Sequence, residues 1–294
     1  MPEPHSKYIE KTKQDYAKLG YEPYQWFQAE DVPAFAHLKK PLSESKLGLI
    51  STAGTYVKGQ KAFFTKDDTS IRRISSCTSV DEIRFAHIMQ NYLVEARKDP
   101  CTVFPLEALR ILENEGIIGE LAPEFLSCMG GIYSRSRVRD ELIPRLESAV
   151  SDQQLDLLFL IPLWPVCHQT VCLIARHFEN LGLPTLILGS ALDILEAGQP
   201  PRAKFLNYPL GFESGKFEDK INQLEVVRQA LSGFETIEKP SILKMEFEWP
   251  EGWELIKKRE EGILDLRSPR NEIPQYQSEA DRLAAENEDA WLGY

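Results

Sequence analysis

Apolar positions along the chain fall into short runs, each followed by a stretch with three- and four-residue spacing, which predicts strands alternating with helices. Leu47-Gly48-Leu49-Ile50 predicts a strand that runs into Ser51-Thr52-Ala53-Gly54. Pro105 opens a helix with Leu106, Leu109 and Leu112 on one face, and Gly116 suits its end. Phe125 to Met129 reads as a strand that stops at Gly130-Gly131. Ser134 or Ser136 caps a helix carrying Val138, Leu142, Leu146 and Val150, and Pro144 inside it demands a kink or a later start. Leu157 to Ile161 is apolar on both faces, as a central parallel strand is. A helix from Thr170 follows, with Val171, Ile174, Ala175, Phe178 and Leu181 inward and Gly182 at its end; Pro184 to Gly189 is a second buried strand. A short strand at 204–208 precedes a helix over 217–232, with Ile221, Leu224, Val227 and Leu231 on one face.

This order predicts an α/β fold: an open doubly wound, mostly parallel, Rossmann-like sheet with helices on both faces. Three regions divide the chain: an aromatic arm over 1–45, the α/β domain over 46–236, and an extended acidic tail over 237–294. Tyr21, Tyr24, Trp26 and Phe27 in the arm suit packing onto the neighbouring domain, because large rings dominate burial. Ligands of such sheets bind beyond the carboxyl ends of the strands. Four loops fall there: Ser51 to Thr55, Gly130-Gly131, Trp164 to Gln169, and Gly189-Ser190. Taken singly, each is explained by turn-making. Together they make Thr52, Gly54, Gly130, Gly131, Gln169 and Ser190 the candidate substrate-binding set.

Composition narrows the function classes. Charged residues at 27% and apolar ones at 43% exclude wholesale disorder. The net charge of −11 and the lack of a basic cluster argue against nucleic acid as partner. No apolar run reaches the ~18 residues of a membrane span. The polar start shows no secretory leader, so a cytoplasmic protein is expected. The five scattered cysteines read as reduced thiols, and none shows CxxC or zinc-site spacing, so no metal is expected.

Cys167-His168 is the one place where a thiol and an imidazole adjoin. The pair lies between a buried strand and a helix, where the helix dipole and free N–H groups lower a thiol pKa and expose a reactive thiolate. His168 would then serve as proton donor or charge partner. The competing reading is a buried structural cysteine with a histidine satisfied by a backbone carbonyl. Cys172 lies inside the helix pattern and reads as core; Cys77 and Cys128 have no named partner, and Cys101, ahead of Thr102 to Pro105, is expected to border the site. His87 with Arg72-Arg73 could receive a carboxylate, or these could be a satisfied histidine and surface charges. His177 reads as structural or exposed, and Trp291 as an anchor within the acidic tail.

Six segments, in order over roughly residues 20–235, resemble the glycine/sarcosine/betaine/D-proline reductase selenoprotein B family. They are Pro41 to Leu47, Ser51 to Gly54, Val103 to Leu106, Pro165 to Thr170, Gly189 to Ile194, and Tyr208 to Gly211. The resemblance implies a thiol or selenol subunit of a reductase that cleaves a carbon–nitrogen bond. A selenocysteine or cysteine attacks the α-carbon of a small amine or amino acid. A vicinal thiol then resolves the adduct, and external thiols reduce the product. It further implies that this chain binds no cofactor and works with a partner reductase subunit bearing a pyruvoyl group; a homo-oligomer is a separate expectation.

The family's redox residue stands three places before the retained cysteine, and here that position is Trp164. An indole is not a two-electron redox nucleophile. The chain is a paralogue without the reductase step, or Cys167 works alone, or Trp164 stands where the gene has a selenocysteine codon. Two function classes follow: an oxidoreductase subunit with Cys167, His168 and the Trp164 position at its catalytic centre, and a non-catalytic binding or assembly subunit in which Trp164 fills the pocket.

Overall fold

The computed structural model describes residues 7–18, 20, 22–249 and 267–287. Ten strands form: β1 (Lys46–Ser51), β2 (Thr55–Val57), β3 (Ile71–Ser75), β4 (Ile83–Phe85), β5 (Glu120–Leu121), β6 (Glu124–Cys128), β7 (Leu157–Ile161), β8 (Thr185–Gly189), β9 (Arg202–Phe205) and β10 (Ser241–Lys244). The helices are α1 (Tyr8–Lys18), α2 (Val94–Lys98), α3 (Leu106–Asn114), α4 (Arg135–Arg137), α5 (Ile143–Ser151), α6 (Pro165–Asn180), α7 (Leu192–Gly198), α8 (Lys220–Leu231), α9 (Gly233–Thr236) and α10 (Glu279–Asn287).

Eight strands make one sheet in the order β10-β9-β8-β7-β1-β6-β3, with β5 pairing to the start of β1. All its pairings are parallel except β3 with β6. β2 and β4 form a separate antiparallel pair. The expected doubly wound α/β fold is therefore present.

Strand alternation sorts the core onto two faces. Leu47, Leu49, Phe125, Leu157, Phe159, Ile161, Leu186 and Leu188 face α3, α8 and α9. Ile50, Leu126, Leu158, Leu160 and Ile187 face α5 and α6.

Several elements depart from the sequence expectation. α6 starts at Pro165, five residues before Thr170, because proline at the first helical position loses no bond there. Ser134 is the cap ahead of α4, its hydroxyl accepting from the Arg137 amide at 3.4 Å. A wide π turn over Val138–Leu142 then absorbs Pro144, which has no N–H to continue the regular ladder. Leu181 caps α6 and is 56% exposed, not inward. Ile221 is 78% exposed, because the inward stripe of α8 runs through Gln223, Val226, Val227, Ala230 and Leu231. Ser241–Lys244, read as part of an extended tail, adds a parallel edge strand beside β9.

The segments flanking the sheet are tied to it. The Phe27 amide donates to Gln169 Oε1 at 2.7 Å, and the Ala29 amide to the Ala197 carbonyl at 2.8 Å. Arg202 and Glu179, both buried, pair at 2.7 Å, and each also bonds the backbone of Ala36. Residues 267–287 lie against the β2–β4 pair: the Gln277 amide donates to the Tyr56 hydroxyl at 2.8 Å, and Asp281 pairs with Arg84 at 3.1 Å. Tyr21 and Trp291 lie outside the described residues. Among the described residues, no helix is long and apolar enough to cross a membrane.

Candidate functional site

After β1 the chain moves outward to β6 and β3; after β7 it moves the other way, to β8, β9 and β10. The crevice that sheets of this kind offer to ligands, at the point where the strand order reverses, therefore falls between the carboxyl ends of β1 and β7. The Thr52 amide donates to the Ile161 carbonyl at 3.0 Å and fixes the floor of that crevice. The Gly130 amide donates to the Thr52 carbonyl at 3.0 Å, bringing the end of β6 in from the side. The Thr170 hydroxyl donates to the Gly130 carbonyl at 2.8 Å and holds the first turns of α6 over both.

Trp164 is the N-cap of α6, Pro165 its first residue, and Cys167 lies within the first turn. The thiol is fully buried. Its sulfur lies 3.7 Å from the Thr52 carbonyl and 3.5 Å from His87 Nε2. A Cβ on Gly130 would come within 2.8 Å of that sulfur and 2.4 Å of Thr52 Cβ, so only glycine fits. A Cβ on Gly131 would lie 3.5 Å from His87 Nε2, an ordinary contact.

The partner of Cys167 is thus His87, 80 positions away, and not its neighbour His168. His87 Nδ1 accepts from the Met89 amide at 3.2 Å, which leaves the proton on Nε2, facing the sulfur. Burial lowers its pKa to about 3, so the ring is neutral at pH 7. In this arrangement Nε2–H donates to the sulfur and the thiol donates to the Thr52 carbonyl. His87 then stabilises a thiolate by donation, rather than by taking the thiol proton.

His168 is spent elsewhere. Its Nε2 accepts from the Ser190 amide at 2.8 Å and the Ala191 amide at 3.1 Å, and its Nδ1–H donates to the Trp164 carbonyl at 2.9 Å. Burial lowers its pKa to about 4, against the pull of the Trp164 carbonyl. The ring stitches the β7–α6 turn to the β8–α7 turn.

The expected lowering of the Cys167 pKa is corrected. Burial pushes it up to about 11, and the backbone at Trp164 and Leu163 only moderates the rise. The helix N-terminus is present, but the apolar wall outweighs it. That wall includes Ala53, Phe85, Met89, Leu93, Val103 and Leu163, with half-buried Tyr92 and Trp164 packed against it. Tyr92 and Trp164 rings lie 6.3 Å apart, inclined at 31°.

Gly54 shapes the site from below. Its φ is +69°, and a Cβ would lie 2.3 Å from the Ala86 carbonyl, beside His87. Gln169 is engaged by the arm, its Nε2 donating to the Tyr24 hydroxyl at 2.9 Å. The hydroxyls of Thr52 and Ser190 are buried without a hydrogen-bond partner. Arg72 bonds the Lys61 and Ile71 carbonyls, and Arg73 pairs with Glu124 and Asp152, so both guanidiniums are committed within the fold. Cys101, Cys128 and Cys172 are buried and Cys77 is exposed. The segment carrying His87 is braced by the last described residues: the Phe85 amide donates to Gln277 Oε1 at 3.1 Å, and the Ser268 amide to the Ile88 carbonyl at 2.8 Å.

The chain is 26% identical to the gamma subunit of D-proline reductase from Acetoanaerobium sticklandii over 213 residues, covering 72% of this chain and 87% of that one. This chain is a homologue of reductase-complex subunits. It is 23% identical to the gamma subunit of glycine reductase component B from Peptoclostridium acidaminophilum, and 26% identical to the beta subunit of sarcosine reductase component B from that organism. These matches cover 71% and 47% of this chain, but only 49% and 33% of the relatives. The reductase homologue thus spans most of the D-proline reductase subunit and half or less of the other two. No family model matches it, and no solved structure does.

Proposed function

We propose that the chain is the thiol subunit of a cytoplasmic reductase complex that removes the amino group of a small amine or amino acid. One amine and two thiols give the deaminated product, ammonia and one disulfide. The Cys167 sulfur bonds to the α-carbon as the C–N bond breaks and the nitrogen leaves with a proton. A second thiol then attacks the Cys167 sulfur, forming the disulfide, and the carbon takes a proton. Because Trp164 occupies the family's redox position, that second thiol comes from a partner subunit or from solution. Activation of the amine falls to a pyruvoyl group on a partner subunit, and the chain itself carries no cofactor.

The observation that supports this reading is the Cys167 sulfur set 3.5 Å from His87 Nε2 at the crevice between β1 and β7. A pKa near 11 leaves on the order of one thiolate in ten thousand at pH 7. The resting thiol is therefore idle, and attack on substrate requires its sulfur to be uncovered. His87 then supplies a neutral N–H to the developing thiolate.

The test is reconstitution with the partner subunits, following ammonia and disulfide together. Cys167→Ser should cut ammonia release about a thousandfold or more. Trp164→Cys, which returns a chalcogen to the redox position, should raise it. Ammonia release that survives Cys167→Ser overturns the catalytic reading. A second reading then takes its place, favoured by the buried thiol and the indole packed over it: a binding or assembly subunit with an inert Cys167. It requires a complex that depends on the chain but not on the thiol.

A further inference from the structure

One ionisable group at the same edge of the sheet is still without a role. Glu213 lies in the loop after β9 and is fully buried. Its Oε2 accepts from the Gly211 amide at 2.9 Å, and its Oε1 has no hydrogen-bond partner. The loop is pinned toward the crevice: the Ser214 amide donates to the Thr102 carbonyl at 2.7 Å, and Gly211 packs so closely that a Cβ would lie 2.8 Å from Leu93. Leu93 and Val103 belong to the same wall as Cys167 and Trp164. Glu213 is near enough to Cys167 that a charge on the carboxyl, once formed, would act on the thiol.

Among the described residues, buried hydroxyls at this edge also lack partners: Thr52 and Thr55 after β1, Ser190 after β8, and Ser214 beside Glu213. Buried polar atoms are almost always paired. Unpaired atoms on loops that leave the carboxyl ends of β1, β8 and β9, Glu213 Oε1 among them, are where a polar ligand would find partners. The hydroxyls can donate or accept, whereas an ionised Glu213 Oε1 can only accept. Burial lowers the pKa of both imidazoles near the thiol, so neither answers the carboxyl as a cation at pH 7. The acid disfavours an anion, and among the described residues no three His, Cys, Asp or Glu side chains converge to hold a metal.

The geometry points to Glu213 as the receptor for the amino group of an amine ligand entering beside Cys167, its free Oε1 accepting an ammonium N–H. This rests on the reading that the site takes small amines, and it names the residue that first receives them, ahead of their activation on the partner subunit. Without ligand, burial pushes the carboxyl's pKa well above its ordinary value and so favours the protonated form. On binding, the carboxylic proton passes to solvent, the ammonium keeps its protons, and the two form a buried, hydrogen-bonded ion pair. The hydroxyls take the remaining N–H groups or other polar atoms of the ligand.

The experiment uses the full chain with carboxyl-labelled glutamate, infrared difference spectroscopy and calorimetry, with glycine and methylammonium as probes. Amine binding should replace one protonated-carboxyl band by a carboxylate band, and Glu213→Gln should abolish the change and weaken binding about tenfold or more. Equal affinity in Glu213→Gln, an unchanged carboxyl band, or no binding of either amine to the folded chain overturns the assignment. Should Glu213→Gln fail to fold, the wild-type difference spectrum alone decides. Binding that depends on Glu213 in a complex without C–N cleavage sinks the reductase reading and leaves this one standing. Cleavage indifferent to Glu213→Gln does the reverse.

Discussion

At Cys167 two influences oppose each other, and their balance sets what the thiol does at rest. The first turn of α6 favours a thiolate, while the apolar wall favours the thiol, and burial wins by pushing the pKa up to about 11. Alkylation followed by peptide mapping should find Cys77 modified first, since it alone of the five cysteines is exposed. Cys167 should react at least about a hundredfold more slowly near pH 7. Its rate should climb with pH toward 11, and Trp164→Gly should speed it at every pH. The two buried imidazoles carry a second expectation. Unfolded histidines take a proton below about 6.5, whereas His168 resists until about 4 and His87 until about 3. The unfolded chain binds more protons in that window, so stability is complete above pH 6.5 and falls as the medium is acidified. The slope is about 1.4 kcal/mol per pH unit for each histidine. Urea titrations between pH 7 and 4.5 measure it, and His87→Gln should remove roughly half. The thiol's place at a strand-to-helix turn was readable from the chain. Its partner was not, because 80 positions separate His87 from Cys167 and nothing in local spacing marks the pair.

Among the elements, β1, β6, β7 and β8 were legible because their side chains are almost all buried on both faces and leave short apolar runs, interrupted in β6 only by Ser127. β2, β3, β4 and β10 were not: they are short, and residues such as Arg72, Arg73 and Lys244 break their alternation. The start of α6 was misplaced because Pro165 reads as a breaker unless it is given the first helical position. That difference moves Cys167 and His168 from a loop into a helical turn, and so fixes their side chains. Turn geometry is equally strict at Gly54, where the left-handed backbone and the Ala86 carbonyl at 2.3 Å from an added Cβ both exclude a side chain. Gly54→Ala should cost about 2 kcal/mol or more in urea unfolding. It should also displace His87, seen as faster labelling of Cys167.

Over the whole molecule, segments distant in sequence complete the domain. Arg202 joins β9 to α6 through Glu179 and to the arm through the Ala36 carbonyl, with its guanidinium 3.6 Å from the centre of the Phe35 ring. Arg202→Met should cost about 3–5 kcal/mol, because it strands a buried Glu179; a double variant with Glu179→Leu should recover much of that loss. Thermal melts of the single and double variants test the pair. None of this was readable from periodicity, since the partners lie more than twenty positions apart and a charged pair inside a core has no sequence signature. The segment 267–287 carries a further consequence. It holds the backbone at Phe85 and Ile88, on either side of His87. A ribosome delivers those positions long before it delivers Ser268 and Gln277. The last bonds that hold the imidazole opposite the sulfur therefore form only once translation has passed them, and a nascent chain halted earlier carries the cysteine without that bracing.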